Sequence, residues 1–234
     1  MAWRSHGATN SELVQNLAKN GLINSQRVQD AMCKVDRANY VTEDRKPEAY
    51  RDGPQPIGYG ATISAPHMHA NALENLLPFL GPRSRVLDVG SGSGFMMACF
   101  HHLITDLEKD ESTQSGFVLG IEHIPELSEA SIKNLRKDGL GKILDQGKIK
   151  VSLEDGRNPS IEHGGNWDVI HVGAAAPKLP SALLSQLASP GRMFIPVGEH
   201  QQSIYQVDKD KHGRITQEKL YAVSYVPLTD RQVC

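Results

Sequence analysis

From Arg85 onward the chain alternates short apolar runs with stretches of helical period. V-L-D-V at 86–89, F-V-L-G-I at 117–121, K-I-K-V-S-L at 148–153, W-D-V-I-H-V at 167–172 and R-M-F-I-P-V at 192–197 have strand length and composition. Residues 95–105, 126–138 and 180–188 carry helical spacing, with Pro125 at a first turn and Gly139 past an end. Such alternation predicts a parallel sheet covered on both faces, because each parallel crossover returns through a helix. The last stretch differs. S-I-Y-Q-V-D, then K-D-K-H-G, then R-I-T-Q-E-K-L-Y-A-V-S-Y-V-P-L predicts an antiparallel hairpin turning at Gly213 and closing one sheet edge.

The first third is helical and then broken. Thr9 and Glu12 have capping-box spacing ahead of Leu13, Val14 and Leu17, and Gly21 ends that helix. A second helix starts near Ser25 with Val28, Met32 and Val35 on one stripe. Residues 40–66 hold Pro47, Pro54, Pro56, Pro66, Gly53, Gly58 and Gly60, which predicts an ordered loop or lid with no regular element. A third helix runs from Pro66 to Leu77 with Met68, Ala72, Leu73 and Leu76 inward. The fold class is therefore α/β: doubly wound, mostly parallel and Rossmann-like, with an antiparallel edge hairpin and N-terminal helices. One domain of 234 residues fits, with helices and a substrate or lid segment at 1–80, a binding core at 81–200 and the hairpin at 201–234.

Composition narrows the setting. A formal net charge of −2 leaves no basic footprint for nucleic acid. The three cysteines, Cys33, Cys99 and Cys234, form no C-x-x-C, which points to a reducing compartment without disulfides or zinc. Cys99 sits in an apolar helix and reads as core. M-A-W-R-S-H-G has no signal core, and no run approaches the roughly 18 apolar residues of a membrane span. The expectation is a soluble cytosolic protein and, with no coiled coil, a monomer.

The chemistry concentrates where strands end. R-V-L-D-V-G-S-G-S-G (85–94) runs from a strand, through Asp88, into Gly90, Gly92 and Gly94, and then into an apolar helix. That is a turn where a ligand can touch bare backbone at the carboxyl edge of a sheet. Its spacing is G-x-G-x-G, not the dinucleotide G-x-G-x-x-G. Glu122, in G-I-E-H, ends the second strand and is placed either for two ribose hydroxyls or for solvent. Its distance from the glycines exceeds the usual ~20 residues, and the polar insertion at 106–115 accounts for the excess. Asp155-Gly156 follows the third strand and suits either an adenine amino group or a plain turn. Asp168, near a strand's start, reads as structural.

In G-A-T-I-S-A-P-H-M-H (60–69), Ala65 before Pro66 is biased to extended backbone. Thr62 and Ser64 thus lie just ahead of a helix start, where hydroxyls and amides suit a carboxylate; Ser64 could equally cap the helix. His67 and His69 lack the further ligands of a metal site, so none is expected. His171 lies within a strand and reads as a satisfied core histidine or a site residue, while Gly173 to Ala176 leave room for a bulky substrate. His6, His101, His102, His123, His163, His200 and His212 read by position as surface or packing residues. No nucleophile elbow or phosphate loop is present.

D-G-P-Q-P-I-G-Y-G-A-T-I-S-A-P-H-M-H-A, L-D-V-G-S-G-S-G, V-I-H-V-G-A-A-A-P and Y-V-P-L-T-D together resemble the protein-L-isoaspartate (D-aspartate) O-methyltransferases. M-A-W-R-S-H-G-A-T-N-S-E-L is similar to the animal form, from which the 106–115 insertion departs. The resemblance implies methyl transfer from S-adenosyl-L-methionine, giving S-adenosyl-L-homocysteine, to isoaspartyl and D-aspartyl residues of damaged proteins and peptides. It implies Ser64 as the catalytic position. It implies a cofactor site of Ala61, Thr62, Ile63, Ser64, His69, Asp88, Gly90, Ser93, Gly94, Glu122, His123, Asp155, Gly156 and Thr229, with Glu122 where the family often has aspartate. Rival readings are a methyltransferase for another acceptor and a non-catalytic binding module.

Overall fold

The computed structural model describes residues 5–105 and 116–228. The insertion at 106–115, Thr229, Gln232 and Cys234 lie outside them. Thr9 holds extended backbone and its side chain accepts the Glu12 amide, starting helix α1 (Asn10–Lys19), which buries Leu13, Val14 and Leu17. The Glu12 carboxylate in turn accepts the Ala8 N–H at 2.8 Å, closing the expected box one residue early. Helix α2 (Gln26–Lys34) buries Val28, Ala31 and Met32. Its leading amides, Asn24 and Ser25, both donate to Glu74 at 2.8 Å, which ties it to helix α3 (Pro66–Leu76).

The expectation of no regular element over 40–66 is corrected. A 3₁₀ helix spans Glu43–Glu48, and strands β1 (Gln55–Gly58) and β2 (Ala61–Ile63) form an antiparallel hairpin. Pro56 is tolerated because a two-stranded ribbon has an unpaired edge for a residue without N–H. The Gly58-Tyr59-Gly60 tip supplies three consecutive positive φ angles for the turn.

Beyond it come β3 (Arg85–Val89), α4 (Phe95–Thr105), β4 (Phe117–Glu122) and α5 (Pro125–Leu135). They are followed by α6 (Gly141–Asp145), β5 (Ile149–Leu153), β6 (Trp167–Val172), α7 (Ser181–Gln186), β7 (Leu187–Val197), β8 (Gln202–Lys209) and β9 (Ile215–Val223). Among the described residues, seven strands form one sheet in the order β5-β4-β3-β6-β7-β8-β9. The pairs from β5 to β7 are parallel and the β7–β8 and β8–β9 pairs antiparallel, as the sequence pattern predicts. The chain winds outward from β3 to β5 and then returns to lay β6 on the other side of β3. The carboxyl ends of β3 and β6 thus flank a topological switch point, where such sheets open a crevice.

Alternate residues of each central strand enter opposite cores. Val86, Val118, Val169 and Phe194 pack with α1 to α5, while Leu87, Leu119, Ile170 and Met193 pack with Leu183 of α7, Trp167 and Leu228. Both faces are therefore buried, which explains the near-continuous apolar runs. Two boundaries differ from expectation. Strand β7 begins at Leu187 rather than at the apolar run, because Leu187 pairs with Trp167 across a register shift. Helix α5 stops at Leu135 and continues as a π turn over Arg136–Leu140, with Gly139 at φ 86°.

The turn carries Asp138 back to the N-terminal layer. There it accepts from Asn39 Nδ2 at 2.6 Å, from the Tyr40 hydroxyl at 2.8 Å and from the Asp36 amide at 3.3 Å. Burial still outweighs these bonds and pushes the Asp138 carboxyl above its ordinary 3.8. A native value above the unfolded one favours folding most below the unfolded value and less as pH rises through the native value. Asp138→Asn removes that titration. Urea unfolding at a series of pH values from 3.5 to 7 should show wild type losing stability relative to this variant as pH rises through that range. A pH-independent difference would mean that Asp138 is not so destabilised by burial.

Candidate active site

At the end of β3 a side-chain-free turn is a geometric requirement. Gly90, Gly92 and Gly94 have φ of 71°, 50° and 86°, a region L side chains rarely adopt. The Gly90 and Ser91 amides donate to the Ile121 carbonyl at 2.8 and 3.1 Å, which clamps the turn to the end of β4. The Gly92 amide donates to Glu122 Oε2 at 3.0 Å, and the His123 and Ile124 amides donate to Glu122 Oε1 at 2.9 and 3.0 Å. His123 Nδ1 lies 3.2 Å from the same oxygen. This buried carboxylate is oriented by three backbone donors, and Oε2 keeps a lone pair for a ligand hydroxyl. Ser93 uses its hydroxyl to accept the Phe95 amide at 3.4 Å, and its carbonyl accepts from Asn134 at 3.0 Å.

The third acid stands next to these two edges. A Cβ on Gly156 would lie 2.3 Å from Val89 Cγ1, so only glycine lets the segment after β5 reach β3. Asp155 is half-exposed and held by the Arg157 guanidinium at 2.6 to 3.0 Å; these bonds lower its carboxyl below the usual carboxylate value.

The hairpin brings the second sequence block to the turn. A Cβ on Gly92 would lie 3.3 Å from Ile57 Cδ1, so β1 leans over the glycines. Ser64 follows β2, and Ala65 holds the extended backbone expected before Pro66. The alternative of Ser64 as helix cap is settled against it: Asp52 Oδ1 takes the His67 amide at 3.0 Å and the His67 ring at 2.7 Å. The Ser64 side chain instead faces the Tyr225 phenol. Burial holds that phenol well above its ordinary value. His69 is buried and stacked on Phe95, the first residue of α4, with centroids 4.8 Å apart.

Asp88 points elsewhere. Its carboxylate is buried, and Oδ1 meets His171 Nδ1 at 2.7 Å, the two residues being register partners on β3 and β6. Among the described residues its Oδ2 has no hydrogen-bond partner. His171 lies between Phe100 and Phe194, which makes it the satisfied core histidine of the two readings. Asp168 accepts the Arg85 amide at 2.8 Å, a structural role as expected. Beyond β6, Ala175 donates to Val226 and accepts from Leu228, both at 2.8 Å, so the C-terminal segment reaches the same sheet edge. Thr229, the next residue, lies outside the described residues.

The structure thus gathers the glycine turn, Glu122, His123, Asp155, Gly156, the 61–64 segment and His69 around one edge. Arg37, Asp52, Phe95 and Tyr225 also belong to it and are not visible in the sequence pattern. Arg37 carries no signal there, because a lone arginine in a mixed polar stretch ordinarily faces solvent.

The family model for protein-L-isoaspartate(D-aspartate) O-methyltransferase (PCMT) matches residues 8–233. The chain belongs to this family. A Caenorhabditis elegans protein-L-isoaspartate O-methyltransferase is 45% identical over 234 residues, spanning 99% of this chain and 97% of its own. Protein-L-isoaspartate O-methyltransferase 1 of Arabidopsis thaliana is 43% identical over 223 residues, spanning 95% and 92%. A Plasmodium falciparum protein-L-isoaspartate O-methyltransferase, crystallised with S-adenosyl-L-homocysteine, superposes with a TM-score of 0.86 at 34% identity, covering 95% of this chain and 99% of its own. The family resemblance read from the sequence is borne out, as is the Rossmann-like fold class.

Proposed function

We propose that this chain moves the methyl group of S-adenosyl-L-methionine to the free carboxyl of L-isoaspartyl and D-aspartyl residues in damaged proteins and peptides. The observation that carries this reading is the β1–β2 hairpin, whose second strand leads into A-T-I-S, set with Ile57 against a glycine turn whose neighbour is a backbone-clamped acid. The residues present fit the cofactor. Gly90, Ser93 and Gly94 offer backbone, Glu122 with His123 a ribose acceptor, and Asp155 with Gly156 an adenine edge. Ala61, Thr62, Ile63, His69 and Thr229 complete the enclosure, while Asp88 lies beneath the turn, paired with His171.

When bound, S-adenosyl-L-methionine supplies a methyl group on a sulfonium, an activated leaving group. The acceptor carboxyl has an ordinary value near 4 and is ionised at neutral pH. The chain therefore needs no general base; its task is alignment, which can supply roughly 7–11 kcal/mol in favourable cases. Ser64 orients the acceptor carboxylate by hydrogen bonding, with its own carbonyl held by Arg37 Nη2 at 2.9 Å. The β1–β2 hairpin covers the turn and keeps water from it.

The enzyme works as a cytosolic monomer on polypeptides, not on nucleic acid or membranes. A net charge of −2 and free Cys33 and Cys99 support this setting. Among the described residues, no helix is long and apolar enough to cross a membrane.

Transfer of labelled methyl to an isoaspartyl peptide and to its aspartyl twin tests the reading. Only the isoaspartyl peptide should be labelled; equal labelling would favour a different carboxyl methyltransferase, and none a binding module. Ser64→Ala should lower kcat/KM roughly 10- to 100-fold, the worth of one hydrogen bond to a charged group. Complete loss with intact folding and cofactor binding would contradict an orienting role. Glu122→Ala should weaken S-adenosyl-L-homocysteine binding by roughly 10- to 100-fold in calorimetry. A change under twofold would remove Glu122 from the site.

A further inference from the structure

Arg37 is 1% exposed, with Asp36 capping the 3₁₀ turn it opens. Its Nη2 donates to the Ser64 carbonyl at 2.9 Å and the Gly53 carbonyl at 3.4 Å. Its Nη1 faces His69 Nδ1 at 3.5 Å, and its Cζ lies 5.7 Å from the Phe95 centroid, the ring on which His69 stacks. Among the described residues, Arg37 Nε and Asp52 Oδ2 have no hydrogen-bond partner although both are buried. A buried cation in this state is a poor source of stability compared with an apolar side chain of its size. Its distinguishing product is directional: an N–H aimed at one nitrogen of one imidazole.

Guanidinium only donates, so the His69 nitrogen facing it can only accept. A neutral imidazole whose Nδ1 accepts carries its proton on Nε2. The groups around the ring agree. Burial first, then Arg37, His171 and His67, hold His69 well below its ordinary 6.5. The acid Asp52 acts on Arg37 from this side, and its Oδ1 is engaged by the His67 ring and amide. Burial lowers Arg37 itself to about 9, so it remains charged at neutral pH.

We propose that Arg37 is a positioning residue for methyl transfer: it fixes the Ser64 carbonyl and locks His69 as the neutral Nε2–H tautomer, a hydrogen-bond donor to a ligand carboxylate. The step from tautomer to turnover rests on the methyltransferase reading above. Both the cofactor and the acceptor bring a carboxylate, and the two are separable by experiment.

The long-range proton–nitrogen spectrum of enzyme with nitrogen-15 histidine reads the tautomer without turnover, with His69→Gln assigning the signals. His69 should be neutral with Nε2 protonated from pH 5.5 to 8. An imidazolium or an Nδ1–H tautomer at pH 6.5 overturns the proposal. In Arg37→Met, burial still keeps His69 neutral, but its proton should redistribute between Nδ1 and Nε2. The variant's kcat/KM should fall roughly 100-fold, the scale of a small misplacement. Arg37→Lys keeps the charge and one donor and should recover part of the loss. A rise in the dissociation constant of S-adenosyl-L-homocysteine assigns the donor to the cofactor carboxylate, and a rise in peptide KM assigns it to the acceptor. Neither rising, or an Arg37→Met enzyme with unchanged His69 signals, overturns the role. Should Arg37→Met not fold, the wild-type spectrum and Arg37→Lys decide. A correct spectrum without isoaspartyl methylation would reject the activity and leave the tautomer standing.

Discussion

The turn at Gly90–Gly94 is the constraint on which the other parts of the site depend. It lies at the end of a central strand, where both faces are covered and backbone must reverse toward a helix without side chains. Because Gly92 presents no Cβ, Ile57 can approach and the β1–β2 hairpin can settle above it. Because the turn closes with Gly94 amide on Ser91 carbonyl, α4 begins at Phe95, where the ring becomes a floor for His69, Arg37 and Tyr40. A side chain at the turn would alter the hairpin, the helix start and the acid at Glu122 together.

The N-terminal layer is a working part of the site and not a decoration. Helices α1 and α2 share the core of α3 and α4, and the 3₁₀ turn after α2 delivers Arg37 into that core. The same turn is anchored on the far side by Asp138. Through Arg37 the position of Ser64 is coupled to this packing, so core geometry is transmitted to the reacting segment by a pair of hydrogen bonds rather than by loop sequence.

The acids buried beneath the site each face specific donors. Asp88 faces His171, Asp52 faces His67, and Glu122 faces three amides. Low dielectric makes each such contact directional and makes an error in one of them costly. Such contacts give a rigid base against which two charged ligands can be aligned, the main requirement of a reaction without a general base.

The amino-acid sequence by itself determined the period-two and period-3.6 elements, the parallel-to-antiparallel change of the sheet, the glycine turn and the acids at strand ends. Each of these is a local consequence of residue type, and the A-T-I-S and L-D-V-G-S-G-S-G blocks made the family legible as well. The hairpin within 40–66 was hidden, since its prolines and glycines argue locally for irregular chain, and burial of Ile57 and Ile63 in the core is what makes strands worthwhile. The early start of β7 and the π turn after α5 likewise follow from distant partners, Trp167 and Asn39 with Tyr40. Whether Ser64 caps a helix, whether His171 is core and whether Arg37 is inside were decided only by tertiary structure. The physical reason is that burial and hydrogen-bond competition depend on residues far apart in the chain, which no local pattern encodes.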